Sequence, residues 1–445
     1  MFTFKHGIHV LDKKELSKNK PIRIVKPSNI MVYPMQQHIG AKANPCVKVG
    51  DKVLLGQIIG TADGFISANV LSTVSGKVIS IEDRLTIFGQ KSECIVVEND
   101  GKDDAIEGYG IERDFNSLSN DEIIKIVKDA GIVGLGGACF PTHVKLSPKE
   151  PQSIDYILVN GAECEPYLTS DYRLMLEETE TLIKGLQCML KLFPNAKGII
   201  CIEDNKKDAY EKITSSCSNI ANIETALMKT KYPQGGERQL IYAITGRRFN
   251  VSMLPADVGC LVDNVDTVIS IGNAVCKSIP LLRRIMTISG DAFKDYANVN
   301  VRLGTSYNDV ISIVDGFKTN PEKMISGGPM MGQAIFSLDM PVSKNSSALL
   351  AFEKDPIKNI KTTNCINCGR CVSACPIDLI PTRMLKAAKA DDFEEYLKLY
   401  GTECINCGSC SYVCPAKQPL TAYFAYMKSA VRDYQKSLKE KEAIK

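Results

Sequence analysis

Apolar residues in the first hundred or so positions come in short runs broken by turn residues: VKVGDKVLLGQIIG (47–60), STVSGKVISIE (72–82) and ECIVVEN (93–99). This spacing predicts strands. From residue 119 the period lengthens. SNDEIIKIVKDAG (119–131) predicts a helix, with Ser119 and Glu122 as a capping box, Ile123, Ile126, Val127 and Ala130 on one face, and Gly131 at the stop. YILVN (156–160), GIICIE (198–203) and IETALMK (223–229) read as buried strands. Residues 171–192 and 205–217 carry helical spacing between them, and 257–276 predicts a further helix. Strands alternating with helices imply a parallel sheet covered on both faces. After residue 283 the pattern shifts again. RRIMTISG (283–290) predicts a strand, TSYNDVISIV (305–314) a helix, and ISGGPMMGQ (325–333) is turn-rich, which together suit a small mixed α+β module. The final stretch, YFAYMKSAVRDYQKSLKEKEAIK (423–445), is polar and Lys-rich; it reads as a helical or frayed solvated tail, with a docking helix as the alternative.

Composition narrows the class. The chain has 445 residues, 44% hydrophobic and 24% charged, which suits a soluble globular protein of about three domains. A net charge of +3 without a Lys/Arg block argues against a nucleic-acid partner. The opening MFTFKHGIHVLDKKELSKNK has neither an apolar core nor a small-residue cleavage site, so no signal peptide is expected. No run approaches the ~18 apolar residues of a bilayer span, so membrane association is expected through partners or a surface helix. Of 17 cysteines, nine (Cys46, Cys94, Cys139, Cys164, Cys188, Cys201, Cys217, Cys260 and Cys276) share no spacing. Most of them are expected as small buried hydrophobes in a reducing cytoplasm, not as a disulfide framework.

The other eight cysteines stand in two nearly identical phrases, CINCGRCVSACP from Cys365 and CINCGSCSYVCP from Cys404. Each is Cys-x2-Cys-x2-Cys-x3-Cys-Pro. Cysteines three apart on one loop can wrap three corners of an iron–sulfur cube, and the fourth corner is reached by the distant cysteine of the other phrase. One cluster is therefore expected on Cys365, Cys368, Cys371 and Cys414, the other on Cys375, Cys404, Cys407 and Cys410. Gly369 and Gly408 let the loops bend tightly. Zinc also takes four thiolates, but its sites pair two Cys-x2-Cys knuckles, which is not this pattern. Two clusters with crossed ligands suit a relay of single electrons better than mere bracing of the fold.

GIVGLGGACFPTHVK (131–145) offers bare backbone at Gly134, Gly136 and Gly137, suited to a phosphate or a flat ring. It is not the dinucleotide fingerprint, because position 139 is Cys and the loop follows a helix. NGAECEP (160–166) follows the first strand of the α/β region, where ligands collect, and carries Asn160, Glu163 and Glu165. YPQGGERQ (232–239) adds Gly235, Gly236 and Glu237; DNVDT (263–267) adds Asn264 and Thr267. Each alone suits a solvated loop; together they suggest a pocket for a ribityl chain, a phosphate and a ring.

These four stretches, in this order, resemble the flavin- and NADH-binding subunit of respiratory complex I. The β-rich start resembles the hammerhead fold of biotinyl and lipoyl domains, although no lysine falls between Lys52 and Lys77, so a swinging arm is not expected. With the module after 283, the two cysteine phrases and the opening TFKHGIHVLDKKELSKNKPI, nearly the whole chain resembles the RnfC family of the Rnf electron-transport complex. The resemblance implies a multidomain α/β protein. Its parts are a β barrel-sandwich hybrid (1–110), a Rossmann-like α/β domain for FMN and NAD(H) (111–280), a β-grasp module like soluble-ligand-binding domains (281–352), an α-helical two-[4Fe–4S] ferredoxin-like domain (353–420) and the polar tail (421–445). It implies non-covalent FMN, with Gly134, Gly136 and Gly137 at the flavin and nucleotide, Asn160, Glu163 and Asn264 at the flavin, and Gly235, Gly236 and Thr267 among the cofactor-binding residues. The same resemblance implies Phe140 stacked near the nicotinamide or adenine, Lys145 at a phosphate, and Glu165 and Glu237 on the nicotinamide side, where catalysis is expected. Two departures stand out. The complex I pattern has an acidic residue at Ala162 and Gly at Cys139; Cys139 is read as packing, since nothing basic adjoins it, and His143 as a surface histidine.

The implied activity is that of one component of an ion-translocating ferredoxin:NAD+ oxidoreductase. It exchanges hydride between NAD(H) and FMN, and single electrons with two [4Fe–4S] clusters. Its expected partners are integral membrane and iron–sulfur subunits of the Rnf complex, with ferredoxin indirectly, at the cytoplasmic face of the membrane; Na+ or H+ transport lies in other subunits. Two alternatives are a soluble flavin-dependent corrinoid reductase of the propanediol-utilisation type and an electron-wire protein with a vestigial nucleotide pocket. The related component of Na+-pumping quinone reductases fits poorly, because that family lacks the paired phrases.

Overall fold

A computed structural model describes residues 1–443. The last two positions of the expected tail lie outside the described residues. Strands Ile30–Pro34, Lys91–Asn99, Gly76–Leu85 and Lys52–Val53 form one antiparallel sheet, and Asn44–Pro45, Ile58–Thr61 and Val70–Leu71 a second. They enclose a core of Met31, Tyr33, Ile59, Val78, Ile95 and Val97. The first 25 residues do not join this sandwich. They run past the α/β region and end as strand Ile22–Ile24 at the edge of another sheet.

That sheet has six strands in the order Ile22–Ile24, Ala297–Arg302, Arg283–Ser289, Ala348–Phe352, Lys323–Ser326, Gln333–Ile335. The helix expected over 305–314 is α-helical only at Tyr307–Ile311 and tightens to a 3₁₀ turn at Ser312–Val314.

Residues 156–264 contain a four-stranded, all-parallel sheet in the order Ile223–Met228, Lys197–Glu203, Tyr156–Gly161, Cys260–Asn264. Its strands are apolar on both faces because helices cover both. Ile157, Val159, Ile200 and Ile202 face one core, and Leu158, Ile199 and Cys201 the other. Two sequence expectations need correction here. The helix expected over 257–276 begins only at Val265; Cys260–Asn264 is a strand, since Leu261 and Val262 insert beside Tyr156–Gly161 and a short apolar run cannot by itself tell strand from helix. The span 171–192 breaks at Glu178 into Ser170–Glu177 and Thr179–Leu192, where Glu178 leaves helical dihedrals and pairs with Arg283 at 2.8 Å. Helix Glu237–Thr245 is an addition that its glycine-led start does not announce. The capping box is present: the Ser119 amide donates to Glu122 Oε2 at 2.7 Å and the Glu122 amide to Ser119 Oγ at 3.3 Å, and Gly131 takes φ 64 after the helix.

Residues 353–443 contain helices and no strand among those described. Helix Leu420–Ala443 corrects the solvated-tail reading over its first turns. Leu420, Phe424, Met427 and Val431, spaced for one face, are buried against Met384, Leu385 and Tyr396. No described helix is long and apolar enough to cross a membrane.

Candidate functional site

In the parallel sheet, the first strand in the chain, Tyr156–Gly161, is flanked by the second on one side and the fourth on the other. Connections leave in opposite directions at that junction, so a crevice opens beyond the carboxyl ends of Tyr156–Gly161 and Cys260–Asn264. Asn160 and Asn264 are register partners there. Asn160 Nδ2 donates to the Gly235 carbonyl at 2.8 Å. Asn264 Oδ1 accepts the Asp266 amide at 2.9 Å, capping helix Val265–Lys277, and its Nδ2 donates to Asp171 Oδ2 at 2.6 Å.

The glycine loop lies across this crevice. The Gly134 amide donates to the Phe140 carbonyl at 2.9 Å, closing the loop. Thr267 Oγ1 accepts the Leu135 amide at 2.8 Å, and Arg284 holds the Leu135 carbonyl. A Cβ on Gly136 would lie 2.8 Å from Asn264 Cβ, so only glycine allows that approach; a Cβ on Gly137 would meet nothing within 4 Å. The backbone of 136–138 is exposed. This open Gly-Gly-Ala stretch, with no side chain larger than a methyl, beside a strand-end crevice fits a flat ring or phosphate. Cys139 is buried at φ 53, and burial pushes its thiol up to about 11 against the opposing pull of Arg284 and Lys344, basic neighbours that the sequence order does not reveal. Phe140 is half-buried at the loop's return. His143, expected on the surface, is half-buried, and burial lowers it to about 4, so it is neutral.

Lys145 reaches the end of the fourth strand, donating to the Val262 carbonyl at 2.6 Å and to Asp263 Oδ1 at 3.0 Å. Burial alone would lower its ammonium; Asp263 and Glu237 outweigh that and keep it charged. Burial raises both carboxyls, Asp263 and Glu237. Asp263 Oδ2 has no protein partner, nor has either side-chain polar atom of buried Gln234. Gly235 packs on Asn160, Ala162 and Cys164, whose Sγ accepts the Gly235 amide at 3.3 Å; Gly236 precedes helix Glu237–Thr245.

The two acidic residues of NGAECEP part company. Glu163, at φ 47, turns to the start of helix Ser170–Glu177, accepting the Asp171 amide at 2.7 Å. Glu165 turns to the 327–332 turn. It accepts the Met330 amide at 3.0 Å and lies against Gly328, while its Oε1 is buried and unpartnered. Burial pushes Glu165 up to about 7. Asp171 and Asp263 were missed by sequence reasoning. Only the fold brings Asp171 to Asn264, although DNVDT already contained Asp263.

The cysteine phrases form two cradles. One cavity is lined by Cys375, Cys404, Cys407 and Cys410, with Leu379, Met384 and Phe424. The other is lined by Cys365, Cys368, Cys371 and Cys414. The two loops share one backbone device: Asn367 and Gly369 in the first, Asn406 and Gly408 in the second, all left-handed. Four thiols from two segments around one cavity form a donor set that fits a cubane cluster. The first cradle abuts the crevice. Tyr232 donates its hydroxyl to the Cys407 carbonyl at 2.7 Å, Arg238 pairs with Glu403 at 2.7 Å, and Ile8, Cys164 and Met330 pack with Ala374 and Cys407. At the second, Cys365, Ile366 and Cys368 are exposed.

Comparison with known families matches residues 2–102 to the RnfC barrel-sandwich hybrid domain, 127–273 to the Nuo51 FMN-binding domain and 364–418 to a 4Fe-4S dicluster domain. The chain is 44% identical over 431 residues to the C component of the proton-translocating ferredoxin:NAD(+) oxidoreductase complex of Clostridium ljungdahlii, covering 97% of this chain and 94% of that protein. It is 42% identical to the C component of the Na(+)-translocating ferredoxin:NAD(+) oxidoreductase complex of Acetobacterium woodii over 396 residues, covering 88% and 89%. Among solved structures, an NAD+-reducing [NiFe]-hydrogenase in its H2-reduced state aligns with a TM-score of 0.50 at 20% identity, covering 71% of this chain and 64% of that one, a likeness of fold.

Proposed function

The chain belongs to the RnfC family of ion-translocating ferredoxin:NAD+ oxidoreductase complexes, and on that premise we propose that it exchanges hydride between NAD(H) and FMN and single electrons through two [4Fe–4S] clusters. As a member of that family it is an electron-transfer component of an oxidoreductase complex, with FMN-binding and iron–sulfur domains. The observation that carries the finer reading is the contact of Tyr232 with Cys407, which joins the loop beside the crevice to one cysteine cradle.

FMN, when bound, supplies two-electron exchange with nicotinamide and one-electron exchange with iron–sulfur clusters. The residues' tasks follow from their surroundings. Gly136 and Gly137 present bare backbone to the crevice, and Asn160, Asn264 and Thr267 fix its floor through their own hydrogen bonds. Lys145 supplies the positive charge for a phosphate while balancing Asp263. Glu237, beside Lys145, and the unpartnered Gln234 amide serve nicotinamide and ribose recognition. Glu163 braces the pocket wall by capping helix Ser170–Glu177. The set Cys375, Cys404, Cys407 and Cys410 holds the inner cluster, and Cys365, Cys368, Cys371 and Cys414 the outer. The exposed outer cradle faces the partner: a membrane or iron–sulfur protein of the complex, with ferredoxin further along. The assigned location is peripheral, on the cytoplasmic face.

The test is anaerobic reconstitution of the full chain with FMN and iron–sulfide, followed by NADH titration. About eight irons per chain, with flavin bleaching followed by cluster reduction, is the expected result. A chain whose clusters stay oxidised while NADH is in excess is a passive wire, and the reading is lost.

A further inference from the structure

The opening segment, FKHGIHVLDKKELSKNK, lines neither cysteine cavity, yet it threads between the pocket and the inner cradle. The Ile8 amide donates to the Tyr232 carbonyl at 2.8 Å, and Ile8 packs with Cys407 and Ala374. His6 pairs with Asp378, just beyond the inner cradle, at 3.1 Å. The strap then turns under the NGAECEP loop. The Tyr167 amide donates to the Asp12 carbonyl at 2.6 Å. The Lys14 ammonium, buried, donates to the carbonyls of Glu165 at 2.9 Å and Leu168 at 2.5 Å.

A second buried ammonium, Lys206, holds the same loop from inside the α/β region, donating to the Ala162 carbonyl at 2.6 Å. The two lysines divide the loop. Lys206 takes the end beside Asn160 and the crevice. Lys14 takes the end that carries Glu165, which faces Met330 and the seam with the inner cradle. Burying an ammonium is costly unless its donors are satisfied, and in a loop that needs only a neutral brace an apolar side chain would pack as well. An amine whose donors go to two main-chain carbonyls, delivered by a segment that also touches the inner cradle, couples the position of one to the other.

We propose that Lys14 is a positioning residue for the electron step between the flavin pocket and the inner cluster, and that the N-terminal strap sets the gap across which this step runs. The proposal rests on the flavin and cluster assignment above. It predicts a split that a general stabilising role does not produce. Lys14→Met should loosen residues 165–168 and the seam while leaving the crevice end of the loop in place.

Two measurements on the full chain test it. In the cofactor-free protein, amide exchange at 165–169 should quicken on the order of tenfold in Lys14→Met, with 156–161 unaffected and with protection recovered in Lys14→Arg. In the reconstituted protein, stopped-flow with NADH should show flavin reduction within about twofold of the unaltered chain and cluster reduction slowed on the order of tenfold, the size expected of a small displacement. Should Lys14→Met fail to accumulate, Lys14→Gln, which loses the charge and keeps N–H donors, should show the same split at smaller amplitude. Equal slowing of both steps, or unchanged cluster reduction, overturns the proposal, as does unchanged exchange at 165–169. If the unaltered chain shows no flavin reduction by NADH, the functional reading itself falls and takes this inference with it.

Discussion

The hydroxyl of Tyr232 donates to the main-chain carbonyl of Cys407 at 2.7 Å, so the loop beside the crevice is bonded to a residue of the inner cysteine cradle. Both residues are buried in one apolar seam, where an unmade hydrogen bond is not replaced by water. Tyr232→Phe should cost about 1 kcal/mol there. Amide exchange in 404–410 should quicken relative to 365–371, which the bond does not touch. Equal change in both loops would place the effect elsewhere.

The cavity linings make the cysteine assignments separable. Cys375→Ser should lose the same cluster as Cys407→Ser, although Cys375 belongs to the other phrase. Cys414→Ser should behave as Cys368→Ser does. Each should retain about four of about eight irons. The low-temperature electron paramagnetic resonance signals should sort into two classes by cavity; sorting by phrase would refute the crossed arrangement.

Lys145 is the cationic partner of fully buried Asp263. Lys145→Met leaves a buried carboxylate uncompensated, a loss of about 3–5 kcal/mol. Exchange in strand Cys260–Asn264 should quicken accordingly. Adding Asp263→Asn should recover most of the loss, because the charge that needed Lys145 is then gone.

Glu165 carries a proton up to about pH 7 because burial disfavours its charged form, against an ordinary value of 4.5. The folded chain therefore holds a proton that the unfolded chain releases between those values. Stability from this group falls as pH rises through that window and is lowest above it. Glu165→Gln should flatten the pH dependence of the thermal midpoint of the cofactor-free chain, with the largest gain above pH 7. An unchanged slope would show that Glu165 is ionised when folded.

Gly185 and Gly272 let helices Thr179–Leu192 and Val265–Lys277 touch backbone to backbone. A Cβ on Gly185 would sit 2.0 Å from the Val268 carbonyl oxygen. Gly185→Ala should cost about 1–3 kcal/mol or more through forced separation of the helices, read as a lower thermal midpoint with weaker flavin retention, since Val265–Lys277 carries Thr267.

Much of this protein was legible before any fold was seen. The paired Cys-x2-Cys-x2-Cys-x3-Cys-Pro phrases state a donor set through local spacing alone, because three corners of a cube are reached from one loop. The apolar runs 156–160, 198–203 and 223–229 announce a doubly covered parallel sheet, since burial on both faces removes polar positions from a strand. What spacing cannot carry is which side of a loop each side chain takes. Glu163 and Glu165 stand two apart and face different partners, because φ 47 at Glu163 turns the backbone between them. Nor can it carry contacts made across long separations. Strand Cys260–Asn264 hides in a helical pattern until its neighbour Tyr156–Gly161 is present. Lys14 reads as one more lysine in a polar opening until the fold buries its ammonium against carbonyls more than a hundred residues away. Local chemistry chose the cofactors; the packing of distant segments, driven by burial of shared apolar surface, decided how the pocket, the strap and the inner cradle meet.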